Sequence, residues 1–208
     1  MPKPQAVVFD IGNVLIEWQP ERHYDAIVGE ARRKEMFAAV DLHAMNDRVD
    51  LGENFHDTVM DCAKAYPEFA EDIRRWHDDW LHMASPAIPH SVALLRALRK
   101  AGVPVFALSN FGVETFALAE VEYPFLQEFD RRYISGHMRL AKPGPEIYAA
   151  LEADSGVAPE ALLFADDRAD NIAAAKARGW QTHLFTGPQG WARALVETGL
   201  LTDAEAGL

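Results

Sequence analysis

Cysteine is nearly absent from this 208-residue chain: Cys62 stands alone, so no internal disulfide can form and a reducing compartment suits it. On a helical pattern, Cys62 reads as a small apolar packing residue. No run approaches the roughly 18 consecutive apolar residues of a membrane helix, so no membrane partner is expected. Residues 1–9 carry one lysine and pass into a β-rich segment without the apolar stretch of a signal peptide, which makes a cytoplasmic location the expectation. Positive charge is also scarce. Twenty Lys and Arg against 32 Asp and Glu leave a formal net charge of -12, which repels a polyanionic backbone and argues against nucleic acid. A small anion is not excluded in the same way, because local cations, a metal ion or a helix N-terminus can hold one inside an acidic protein.

What is present is enough apolar material, 49% of residues, for one sizeable core with a small inserted unit. Short apolar runs at 6–9, 103–108, 161–165 and 182–185 read as buried parallel strands. Between them, helical patterns cover 89–101, 145–153 and 171–178, the first and last followed by the helix stops Gly102 and Gly179. Strand and helix in alternation imply an α/β fold, a parallel sheet covered by helices on both faces. Residues 17–85 break the rhythm. They contain no convincing strand, and Phe37, Val40 and Met45, then Phe55, Val59 and Cys62, then Phe69, Ile73, Trp76 and Trp80 recur at helical spacing. The expected organisation is therefore a Rossmann-like core of residues 1–16 and 86–208 with an all-helical cap subdomain of residues 17–85. Residues 202–208 read as a weakly held tail.

Four segments carry chemistry. Asp10 ends the first strand, where open α/β sheets bind ligands, and Gly12 just beyond suits a close backbone approach or a positive φ. Ser109 and Asn110 end a second strand ahead of a helical segment at 111–119; they suit helix capping or, by the same geometry, the holding of an anion. Lys142 sits in a loop stiffened by Pro143 and Pro145, placed to neutralise developing negative charge if a carboxylate and an anion lie nearby. Asp166 and Asp167 end a third strand and concentrate negative charge that a hard divalent cation satisfies, unless one merely caps the helix that follows.

In this order and spacing, Asp10, Ser109-Asn110, Lys142 and Asp166-Asp167 resemble the four motifs of the haloacid dehalogenase-like hydrolases, across roughly residues 5–186. The segments from Phe9 to Leu15 and from Lys142 to Tyr148, with Asn171 after the paired acids, look most like the bacterial sugar-phosphate phosphatases and the phosphatase domain of soluble epoxide hydrolases. The resemblance implies a Mg²⁺-dependent phosphomonoesterase for a small phosphorylated metabolite, with Asp10 forming an aspartyl phosphate. It implies Mg²⁺ on Asp10, the Gly12 carbonyl and Asp167, with Asp166 contacting the ion directly or through its ligands. Phosphoryl oxygens would rest on Ser109, Asn110 and Lys142.

One departure matters. The resemblance implies an aspartate two residues after the nucleophile that protonates the leaving alcohol, and Gly12 occupies that place. His43, His56 and Asp50 in the helical insertion are the available substitutes. Arg48 and Asp50 lie in a segment similar to the specificity loop of such caps, and Arg48 would meet a second anionic group or pair with Asp47 or Asp50. Trp18 reads as a wall of the entrance, while Trp76 and Trp80, four apart, read as packing within the insertion. Two other readings remain: a metal-free 2-haloacid dehalogenase using Asp10 on carbon, and a weakly catalytic phosphometabolite-binding protein. Monomer and homodimer are both compatible with the sequence.

Overall fold

The computed structural model describes residues 2–208. Its centre is a five-stranded sheet in the order β5-β4-β1-β6-β7, built from β1 (Ala6–Phe9), β4 (Val105–Ser109), β5 (Arg131–Ile134), β6 (Leu162–Asp166) and β7 (Gln181–Leu184), every neighbouring pair parallel. The fold is thus the α/β sheet expected from the alternating pattern. Its three central strands, β4, β1 and β6, read as buried, mainly apolar runs because both faces are covered. Pleating sends Val7 and Phe9 to one face and Ala6 and Val8 to the other, into separate apolar clusters.

The cluster around Ala6 and Val8 is closed by Ile147, Tyr148 and Leu151 of α10 (Pro145–Ser155) and Ala175 of α11 (Ala169–Ala177). The other face packs on Leu94, Leu95 and Leu98 of α7 (Pro89–Lys100) and on Trp191 and Leu195 of α12 (Pro188–Glu197). Phe9 there meets Trp191 edge-on with ring centroids 5.7 Å apart. Helix α8 (Val113–Glu122) and the short α9 (Ser135–Met138) follow β4 and β5.

Residues between β1 and α7 form the six helices α1 (Pro20–Ile27), α2 (Glu30–Ala39), α3 (Leu42–Asp50), α4 (Phe55–Ala65), α5 (Ala70–Asp78) and α6 (Trp80–Met83). Their apolar faces, with Tyr24, Met36, Val59, Ile73 and Trp76 fully buried, are continuous with the first core cluster. The expectation of no strand in 17–85 is corrected at its two ends. Here β2 (Ile16–Trp18) and β3 (Ala84–Ala87) pair antiparallel, so the chain leaves and re-enters the core along one ribbon. Pro86 hid β3, since proline argues against a strand except where its missing N–H is not needed, as at an edge. The edge strand β5 was equally hidden, because Arg131 and Arg132 are exposed and only Tyr133 and Ile134 are buried.

Residues 202–208 are no loose tail. Thr202 and Glu205 form a reciprocal capping box for α13 (Asp203–Ala206), whose Ala206 is buried and whose carbonyl lies 2.8 Å from Nε2 of His90.

Candidate active site

The chain runs from β1 to β4 and β5 on one side and returns to β6 on the other, so the sheet switches direction at β1. Such a switch opens a crevice beyond the carboxyl ends of the strands. Asp10 follows β1, Ser109 ends β4 and Asp166 ends β6, which makes them neighbours by register alone.

Asp10 is buried, and its Oδ1 receives three donors: the Ile11 amide at 2.7 Å, the Ser109 hydroxyl at 2.7 Å and the Lys142 ammonium at 2.9 Å. Among the described residues no donor is directed at Oδ2. One oxygen is therefore neutralised and the other left free, the arrangement a carboxylate nucleophile needs. Burial pushes the Asp10 carboxyl above its ordinary range, opposed by Lys142 and Ser109. A cation bound beside it would restore the charged form.

Lys142 is held twice. Its backbone is clamped by Asn110, whose Nδ2 donates to the Lys142 carbonyl and whose Oδ1 accepts from the Lys142 amide, both at 2.9 Å. Its Nζ also donates to Asp166 Oδ2 at 2.6 Å. Burial alone would lower its pKa, yet Asp10 and Asp166 outweigh that and hold the ammonium pKa above its usual value. The helix-capping reading of Ser109 and Asn110 is corrected: Gly112 precedes α8 without a side-chain cap, and both side chains turn to the site instead.

Asp166 is saturated. Besides Lys142 it accepts from the Arg168 amide at 2.8 Å and from Asn171 Nδ2 at 3.0 Å on each oxygen. It lies under the cavity and fixes Lys142, while Asp167 faces the opening. Asp167 accepts from Asn13 Nδ2 at 3.0 Å, and its carboxyl is raised by burial. Asn13 reaches it because its backbone takes a positive φ of 54°, which asparagine tolerates better than most residues. Gly12 does not need to be glycine for backbone reasons: its φ is not in the left-handed region, and none of the described residues beyond its chain neighbours lies within 4 Å of where a Cβ would stand. The positive φ is thus found one residue on, at Asn13. Carboxylate oxygens of Asp10, Asp166 and Asp167 lie within 4.8 Å of one another, a hard-oxygen set that fits a divalent cation.

These residues floor a cavity of about 370 Å³ whose opposite wall is the helical insertion. Trp18 lines it, supported by Trp76 at 5.7 Å and Trp80 at 6.0 Å between ring centroids. Trp80 departs from the expected role inside the insertion. The helix breaks between α5 and α6, and Trp80 lines the cavity and packs edge-on against Phe111 of the core at 5.4 Å. Asp50, at the end of α3, reaches the cavity, as do His43 and Asp47. Arg48 is not brought there: it points outward and pairs with Glu53, Nε to Oε1 at 3.1 Å, rather than with Asp47 or Asp50. His56 is exposed against Asp57, away from the cavity. Cys62 is half-buried on α4.

Sequence reasoning missed Asn13, Asn46 and Ser135 as site residues and treated Asn171 only as part of a motif. Asn13 had a signal, an asparagine following glycine in a loop. Asn46 stands one helical turn before Asp50, a spacing that by itself does not set it apart, and Ser135 had no signal, since its partner lies in a distant segment.

A family model for haloacid dehalogenase-like hydrolases matches residues 4–179. The sesquiterpene phosphatase astK of Aspergillus oryzae is 23% identical over 180 residues, covering 84% of this chain and 86% of that protein. A HAD family enzyme of Bacteroides thetaiotaomicron, solved in complex with magnesium and inorganic phosphate, superposes with a TM-score of 0.67 at 21% identity, over 92% of this chain and 98% of that one. The L-2-haloacid dehalogenase of Xanthobacter autotrophicus, solved with chloropropionic acid covalently bound, gives 0.61 at 20% identity over 98% and 86%. At such identities the structural likeness is one of fold.

Proposed function

This chain belongs to the haloacid dehalogenase-like hydrolases, and from that premise we propose that it is a Mg²⁺-dependent phosphomonoesterase for a small phosphorylated metabolite, a sugar phosphate being one such ester. The observation that carries this reading is the charge of the site. Three clustered carboxylates face one buried ammonium, which leaves an excess of negative charge that a divalent cation would balance. A metal-free dehalogenase has no use for that excess beside its nucleophile. The relatives named for a phosphatase activity and for a magnesium and phosphate complex support the same choice.

Asp10, the Gly12 carbonyl and Asp167 would hold Mg²⁺, with Asp166 acting through Lys142 rather than on the ion. When bound, the ion neutralises phosphate oxygens and lowers their repulsion of the aspartates. Asp10 attacks phosphorus through its free oxygen, forming an aspartyl phosphate that water then hydrolyses. Lys142, the Ser109 hydroxyl and the Asn110 backbone hold the phosphoryl oxygens. The helices of residues 17–85 serve as a cap that limits water and shapes the leaving-group side through Trp18 and Asp50.

Phosphate release from a panel of phosphorylated metabolites with Mg²⁺ tests the reading. Activity should vanish with a chelator, return with Mg²⁺, and fall at least about 10⁴-fold in Asp10→Asn. Unchanged turnover in that variant overturns the mechanism, and chloride release from a 2-haloacid without metal favours the dehalogenase.

A further inference from the structure

Breaking a phosphate ester strands an alkoxide unless a proton arrives as the bond opens. Gly12 offers none, although the space beside it is open. Among the described residues, besides Lys142 and Arg168, which are held by Asp166 and Asp170, four other acid or base side chains line the cavity outside the carboxylate cluster: Glu17, His43, Asp47 and Asp50. Glu17 is engaged with Arg22 at 2.7 Å, His43 has a largely exposed ring near Glu21, and Asp47 is exposed. Asp50 alone is fixed from both sides of the cavity.

Its carboxylate accepts from Asn46 Nδ2 at 3.0 Å on its own helix, and the Gly112 amide of the core also faces it. Its carbonyl accepts from the Ser135 hydroxyl, whose oxygen in turn accepts from the Phe111 amide at 2.8 Å. The tip of α3 is seated on the core by three glycines. A Cβ on Gly52 would stand 2.6 Å from the Gly136 carbonyl oxygen, one on Gly112 2.7 Å from Val49 Cγ1, and one on Gly136 2.8 Å from the Phe111 oxygen. Only bare backbone allows that approach, and it places Asp50 against the loop that follows Ser109 and Asn110.

We propose that Asp50 is the catalytic residue that protonates the leaving oxygen and then activates the hydrolytic water, a role that rests on the phosphomonoesterase reading. As Asp10 bonds to phosphorus, the ester P–O bond breaks, its electron pair stays on the leaving oxygen, and Asp50 gives that oxygen its proton. The Asp50 carboxylate then takes a proton from water, whose oxygen bonds to phosphorus while the P–O bond to Asp10 breaks. Phosphate departs, with Asp10 ionised and Asp50 protonated as at the start. Burial, then the charge of Asp47 and more weakly that of Asp10, push Asp50 up to about 7, against Gly112 and Asn46, so both forms are populated near neutrality.

Phenyl phosphate and p-nitrophenyl phosphate, alike in shape, differ in their need for a proton. With Mg²⁺, Asp50→Asn should cut initial release of phenol about 100-fold or more and that of p-nitrophenolate less than about 10-fold. It should also accumulate protein carrying one phosphoryl group, seen by intact mass spectrometry, while still binding inorganic phosphate with Mg²⁺. Asp50→Ser supplies the same pair of rates if the asparagine variant does not fold. Equal losses on both esters, or none on phenyl phosphate, overturn the role of Asp50 alone. A wild-type protein that hydrolyses neither ester overturns the phosphomonoesterase reading and this role together.

Discussion

On the core wall of the cavity, Asp10, Ser109, Lys142 and Asp166 are buried and bonded to one another, so that none can move without unpairing another. On the insertion wall, His43 and Asp47 stand in solvent, and Arg48, paired with Glu53, turns away from the cavity. The core wall stores its chemistry in desolvated charge, where each partner is worth several kcal/mol. The insertion wall holds shape and aromatic surface, with Asp50 as the exception that shares the core's rigidity.

Breaking the core wall should cost most. Lys142→Met leaves Asp10 and Asp166 buried without their cation, and activity should fall about 10³-fold with about 3 kcal/mol of stability lost. Denaturant titrations should show that deficit growing from pH 5 to pH 8, as the Asp10 carboxyl ionises unopposed. A smaller effect separates Asp50 from its exposed neighbours. Its folded pKa, about 7 against the ordinary 3.8, means that the folded protein binds more protons than the unfolded chain between those values. Without Mg²⁺, stability should fall as pH rises through that window. Asp50→Asn should flatten this slope, leaving the part that the buried Asp10 carboxyl contributes, and make the protein about 1 kcal/mol more stable than wild type at pH 8, read by thermal melts. Arg48→Ala should change least: kcat/KM within about twofold and stability within about 0.5 kcal/mol, because an exposed pair with Glu53 contributes little. A large loss on that substitution would erase the contrast between the walls.

The same contrast governs how much of the molecule is legible in its sequence. β1, β4 and β6 are continuous apolar runs, so the residues at their ends declared both fold and floor of the site. β5 shows two arginines to solvent, and β2 and β3 are short and one contains proline, so no periodicity announced them. Asp50 looked no different from His43 or His56, because its burial arises from glycines at positions 52, 112 and 136 that meet only in the folded chain. The docked C-terminal helix was missed for the same reason, His90 being far away in sequence.

The ribbon of β2 and β3 has a mechanical consequence. Both passages between the sheet and the helices of residues 20–83 run side by side, extended by bonds from Ile88 to the Leu15 carbonyl at 2.7 Å and from Gln19 to the Met83 carbonyl at 2.8 Å. Two separate linkers would let the helices twist as well as tilt. Two hydrogen-bonded strands act as a flexure with one soft axis, and Trp18 rides on it. Admission of a ligand and placement of that aromatic wall would then be a single coordinate, governed by the stiffness of that ribbon.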